Sequence, residues 1–267
     1  MAIKQQYNKL KEPTKPTMPQ DKLPQTGGQE GPGPQTNAKA LAPVQPVGLP
    51  MAPEDRRGAD TTLDQEDLVI PRANLLQPTS DDISAPGSMF RAGQIINSLT
   101  KEVLPEKFTP IFYWKEFTRF NPRKKEDIGF TPDVPPGSFM WTTKNENDQR
   151  VLDFCQGDKD MLYHLQRIVF FCVFDGCAIP ILVSFAKTSY KAGRSLYSLV
   201  KFRNKPAFSQ KYKLTTQPGK QEKGNYFTFV VTPAGDCNPE EFSIGENYFD
   251  QYGIHRDTLK THVEDGE

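Results

Sequence analysis

Rings and cations alternate along residues 185–203, F-A-K-T-S-Y-K-A-G-R-S-L-Y-S-L-V-K-F-R. At 100° per residue, Tyr190, Arg194, Tyr197 and Lys201 share one side of a helix, spaced 4, 3 and 4 apart. Cations on such a side take phosphates, and phenol rings offer flat faces to bases. Together these make a surface for single-stranded nucleic acid. Ala192, Leu196, Leu199 and Val200 form the opposing apolar stripe that would hold the helix on a core. Thr188 or Ser189 is positioned to cap its first turn, and Gly193 weakens it.

Two further segments carry the same chemistry. Lys211, Tyr212 and Lys213 follow the helix as a cation-ring-cation triplet, and residues 112–125 interleave aromatics with Arg119, Arg123 and Lys124. Lys187, Lys191, Arg203 and Lys205 add candidate phosphate contacts. The chain as a whole is neutral, with 33 basic and 33 acidic residues, but the charges are segregated. Ten Lys or Arg against one acid lie in residues 187–223, and nine acids against two bases lie in residues 236–267. An acidic tail of this kind can recruit other proteins once the basic groove is filled.

Other chemistries find less support. Cys172 and Cys177 are spaced C-x4-C with Cys155 upstream, so a zinc site on these three and a fourth ligand is an alternative to ordinary core thiols. The sequence has no Gly-rich phosphate loop, nucleophile elbow or H-E-x-x-H, so no enzymatic activity and no cofactor is expected. No apolar run approaches the ~20 residues of a membrane span, so no membrane partner is expected. An N-terminus without an apolar h-region, and four cysteines without a secretory signal, point to a reducing cytoplasm.

The elements that must position these residues read as follows. Residues 1–64 hold ten of the 24 prolines and read as a disordered Pro/Gly/Gln-rich arm. Short strands are expected within 68–78 and 94–104, and a long aromatic strand over 108–120 with one core face and one ring-and-cation face. Residues 130–136 read as a proline-rich loop and 141–152 as a hairpin or excursion. Residues 168–174 (I-V-F-F-C-V-F) and 178–186 form a hairpin about Asp175-Gly176. After the helix, strands at 211–216 and 225–232 are joined by a Pro-Gly-Lys turn, with a possible terminal helix at 249–263. Several strands, one helix before the last hairpin, then two strands match a mainly β fold. We expect an antiparallel barrel of the oligonucleotide-binding (OB) type over 65–235, with an acidic tail over 236–267 and a β-sandwich as the alternative.

The stretches L-V-I-P-R-A-N-L-L-Q-P (68–78), A-G-Q-I-I-N-S-L-T-K-E-V-L (92–104) and S-F-A-K-T-S-Y-K-A-G-R-S-L-Y-S-L (184–199) resemble a family of bacteriophage single-stranded DNA-binding proteins. The resemblance implies an OB-like barrel, sequence-tolerant binding of single-stranded DNA, and a place in phage replication or recombination in the host bacterial cytoplasm. Replication or recombination proteins would be met through the acidic tail. The long arm lies outside the resemblance and leaves a phage virion structural or scaffold role as the alternative.

Overall fold

The computed structural model describes residues 70–221 and 224–255, so the arm expected over residues 1–64 and the last residues of the acidic tail lie outside them. β1 (Ala73–Leu75) pairs antiparallel with β2 (Ile95–Asn97), with the single-turn α1 (Asp81–Ser84) between them. The main sheet contains β3 (Lys107–Phe120), β4 (Phe139–Thr143), β5 (Gln166–Phe174), β6 (Ile181–Ala186), β7 (Gln210–Gln221) and β8 (Gly224–Asp236). Short helices α2 (Gln149–Cys155) and α3 (Leu162–Leu165) lie between β4 and β5, α4 (Tyr190–Phe202) follows β6, and α5 (Pro239–Tyr252) follows β8.

The sheet is antiparallel in the order β6-β5-β3-β7-β8, with β4 on the far end of β3. The mainly β class is as read from the sequence, with α4 inserted before the last hairpin. The closed barrel is not formed: among the described residues β6 and β8 do not pair with each other, and the outer edge of β6 carries only an isolated parallel bridge between Leu182 and Arg72. The reason lies in how the backbone groups of β8 are taken up. The Phe227 amide donates to Gln77 Oε1 (2.8 Å), Gln77 Nε2 donates to the Phe227 carbonyl (3.0 Å), and the Phe229 amide donates to Ser189 Oγ (3.2 Å). Side chains thus occupy groups that a neighbouring strand would need, one of the ways an edge is protected. β6 and β8 meet through side chains instead, with the Phe185 and Phe229 rings edge-on at 5.4 Å.

Both faces of the sheet are covered, and the period-2 alternation sorts the core. Ile168, Phe170, Cys172 and Phe174 of β5 pack on one side with Ile181, Val183, Phe185 and the α4 residues Leu196 and Val200. Val169 and Phe171 point to the other side, with Phe112, Trp114, Leu182, Phe208 and Tyr248 of α5. A strand covered on both faces reads as a continuous apolar run, which explains I-V-F-F-C-V-F. Each large side chain so buried contributes about 1.5–3 kcal/mol.

On β3 the expected core residues Phe112 and Trp114 are buried, and on the expected ring-and-cation face Tyr113 and Arg119 are half-buried and Lys115 exposed. That face is narrowed by Ile111 and Phe117, which are buried, as are Phe108, Glu116 and Thr118. Trp114 Nε1–H donates to Glu116 Oε2 (2.9 Å), and Thr118 Oγ1 donates to Glu116 Oε1 (3.3 Å). Lys115 does reach solvent, where it pairs with Glu146 at 2.9 Å.

Residues 239–252 are corrected too: they are not tail but a 14-residue helix. Asn238 Oδ1 accepts from the Glu241 amide while Glu241 Oε2 accepts from the Asn238 amide, a complete capping box with Pro239 at the first position. Glycine lets both long helices sit close. A Cβ on Gly193 of α4 would lie 2.6 Å from Phe185 Cβ, and one on Gly245 of α5 would lie 2.6 Å from Phe208 Cβ.

Candidate nucleic-acid interface

α4 is held by the stripe expected of it. Gly193, Leu196 and Val200 are buried, and Ala192, Leu199 and Tyr190 are half-buried against the same core. Its start differs in detail. Residues 187–189 make a 3-10 turn, and Ser189 Oγ accepts from β8 rather than capping α4. Lys187 opens this turn at φ 47°.

The turn and the outer flank of α4 bound an open groove of about 1080 Å³. Lys187, Lys191, Arg194 and Arg203 supply four cations; Tyr163, Tyr190 and Phe202 supply three rings; no acid lines it among the described residues. The Lys187 side chain reaches solvent, but desolvation and the nearby Arg167 push its ammonium below the usual lysine value. Arg167 itself is brought down to about 10 by burial, with Glu116 acting in the opposite direction. Two cations thus lie close together where β6 leads into α4, with Asp127 acting in the opposite direction on Lys187. Phe202 is 86% exposed, an unusual position for an aromatic ring.

Lys201 and Lys205 line a second groove of about 610 Å³ with Tyr113, Asn204, Phe208 and Phe249. Tyr197, 40% exposed, contacts Tyr113 edge-on at 5.3 Å.

Several residues expected at the interface are committed elsewhere. Tyr212 is fully buried between β3 and β7, with its ring 6.1 Å from Phe108, so it is a core residue and not a stacking platform. Burial raises its phenol pKa, and its hydroxyl has no hydrogen-bond partner among the described residues. Lys211, 14% exposed, bridges Asp175 (2.9 Å) and Glu241 (2.5 Å). Desolvation works against its charge, but those two carboxylates outweigh it and hold its pKa above the usual value. Lys213 pairs with Glu106 at 2.8 Å, and Arg203, at the end of the first groove, pairs with Asp236 at 2.8 Å. Arg119 donates to the Gly129 carbonyl (2.9 Å) and Thr131 Oγ1 (3.3 Å) with its guanidinium over the Phe154 ring, so it braces a loop. Arg123 and Lys124 are exposed just beyond β3 but line neither groove.

The cysteines do not converge. Cys172 is buried under α4, Cys177 is half-buried beside the same core, and Cys155 packs with Phe117, Val151 and Leu165. Desolvation raises all three thiols, and no group of three metal-ligating side chains occurs among the described residues.

Sequence reasoning missed Tyr163, Phe202 and Phe249 as lining residues, whereas Tyr113 lies on the ring-and-cation face expected of residues 108–120. A signal for Phe202 was present: at 100° per residue it falls off the apolar stripe of α4, where a large ring has no core to enter.

Comparison with known proteins returns no match among curated proteins and none among solved structures. Residues 37–253 do match the model of one family, described as Pam3 phage gp34-like protein. That match spans most of the chain, all of both grooves and the whole of α5, so the chain belongs to the Pam3 phage gp34-like family and is a bacteriophage protein.

Proposed function

We propose that this protein binds single-stranded DNA, without catalysis and with little sequence preference, in phage DNA replication or recombination. One observation carries the reading: among the described residues the groove along α4 combines four cations, of which only Arg203 is in a salt bridge, with three rings and has no acid in its lining. Phosphates are held by charge and bases by stacking, so such a groove takes the strand whatever its sequence. Replication or recombination proteins would meet the outer side of α5, where Glu240, Glu246 and Asp250 are exposed.

Filter binding of a single-stranded oligonucleotide across a salt series tests the reading. Lys187, Lys191 and Arg194 are the groove cations outside any salt bridge among the described residues. Neutralising three phosphates gives a log–log slope of about −2, or roughly 20-fold weaker binding between about 50 and 200 mM salt. Phe202→Ala should leave stability unchanged and cost about 5–150-fold in affinity, the equivalent of one lost stack. Salt-insensitive or absent binding, with the protein co-sedimenting with mature particles at fixed stoichiometry, would replace this reading by a structural role in the virion.

A further inference from the structure

The two grooves lie on adjacent flanks of one helix end. Leu199, Phe202 and Arg203 face the first; Val200, Lys201 and Asn204 face the second. The ridge between them is the stripe read from the sequence, with Arg194 in the first groove, Lys201 in the second and Tyr197 between. The second groove exists because the sheet has a gap there. β7 pairs with β3 only at Lys107 and Phe108, and β4 only from Phe117 onward, so residues 109–116 have no strand on that side among the described residues. The ends of α4 and α5 close over that gap without filling it, leaving the Tyr113 and Phe249 rings beside Lys201 and Lys205. Like the first, this groove has no acid in its lining among the described residues.

We propose that a single nucleic-acid strand occupies both grooves, crossing α4 over Arg194, Tyr197 and Lys201, with the second groove as a separate subsite. The inference rests on the single-strand reading of the first groove and extends it to a path. Lys191 and Lys201 are separated by ten residues of helix, or about 15 Å at 1.5 Å per residue. Several nucleotides are needed to span both grooves, so short and long strands must bind differently. A strand confined to the first groove meets Lys187, Lys191 and Arg194, and one that continues also meets Lys201 and Lys205.

The test is fluorescence anisotropy of the full-length protein with oligothymidylates of about 4 to 16 nucleotides, the range of site sizes for single-strand folds. The log–log salt slope should step from about −2 for the shortest to about −3.5 for the longest as two more phosphates are engaged. Lys201→Gln with Lys205→Gln should abolish that step and leave both short-strand affinity and the thermal midpoint unchanged. A slope independent of length, or a variant that weakens short and long strands equally, overturns the path while the first groove stands. Absence of binding at every length removes the single-strand reading and the path with it.

Discussion

Replacing Gly193 by alanine sets two known effects against each other. Alanine is the better helix former, returning about 0.8–1 kcal/mol at a mid-helix glycine. The added Cβ would lie 2.6 Å from Cβ and 2.9 Å from Cγ of Phe185. Carbons prefer about 3.5–4.0 Å, so α4 or β6 must retreat by roughly 1 Å. Neither retreats freely. Phe185 is fully buried, held edge-on between Phe170 (5.8 Å) and Phe229 (5.4 Å), and its Cβ moves only with the strand. Overpacking of this kind costs about 1–3 kcal/mol, and an obstacle fixed to backbone belongs at the upper end of that range. Net destabilisation of about 1–2 kcal/mol follows, lowering the urea midpoint by roughly 0.5–1 M for a slope near 2 kcal/mol/M. Circular dichroism of Gly193→Ala through a urea series reads it directly. A midpoint equal to or above that of the parent would show that propensity wins, and the close seating of α4 would then carry no energetic weight.

Two further substitutions separate structural from binding roles among residues of one triplet. Lys211→Met leaves Asp175 and Glu241 facing each other, and should cost about 1–3 kcal/mol by thermal melt with the salt slope for DNA unchanged. The pH dependence checks the cause: partial burial opposes ionisation of Glu241, but the Lys211 ammonium and the Asn238 amide outweigh it and hold its pKa below 4.5. A depressed carboxylate stabilises the fold above its unfolded value and loses that stability as pH falls through the folded one. The parent should therefore lose stability below about pH 4.5 more steeply than Lys211→Met, and parallel acid limbs would refute the pairing. Tyr212→Phe removes a buried hydroxyl without a partner among the described residues, so stability should hold or rise by up to about 1 kcal/mol with DNA affinity unchanged; a fall in affinity would return Tyr212 to the interface.

Much of the fold was legible because the relevant signals are local. The aromatic run of β3, the apolar run of β5, the Asp175-Gly176 turn and the stripe of α4 are each written in contiguous residues. The ends of β7 and β8 were not, since Pro218-Gly219 reads as a turn yet continues the ribbon, with Pro218 opposite Phe227. Pairing between β3 and β7 ends at Lys213, so Pro218 sits where no ladder needs its missing N–H on that side. α5 was hidden by its charge. The Asn238–Glu241 capping pair was present in the sequence, but the surrounding acids drew the segment into a tail. Openness of the sheet was beyond reach, because the groups that occupy β8, Gln77 and Ser189, come from distant parts of the chain.

The interface was half legible for a related reason. Strand alternation already put Tyr212 on the side opposite Lys211 and Lys213, so the triplet never had one face to offer. What composition hid was the pairing: Glu106, Asp175, Asp236 and Glu241 take Lys213, Lys211 and Arg203 out of the basic block. Lys191, Arg194, Lys201 and Lys205 enter no salt bridge among the described residues, and all four are exposed on or just beyond α4. A chain with no net charge thereby keeps a local positive surface, since opposite charges cancel where they touch. At physiological salt, charges farther off than about 8 Å are largely screened. Neutral composition therefore does not argue against a polyanion ligand, provided the unpaired cations are contiguous. Along α4 and just past its end they are spaced three, seven and four residues apart, two in each of the adjacent grooves that carry the rings.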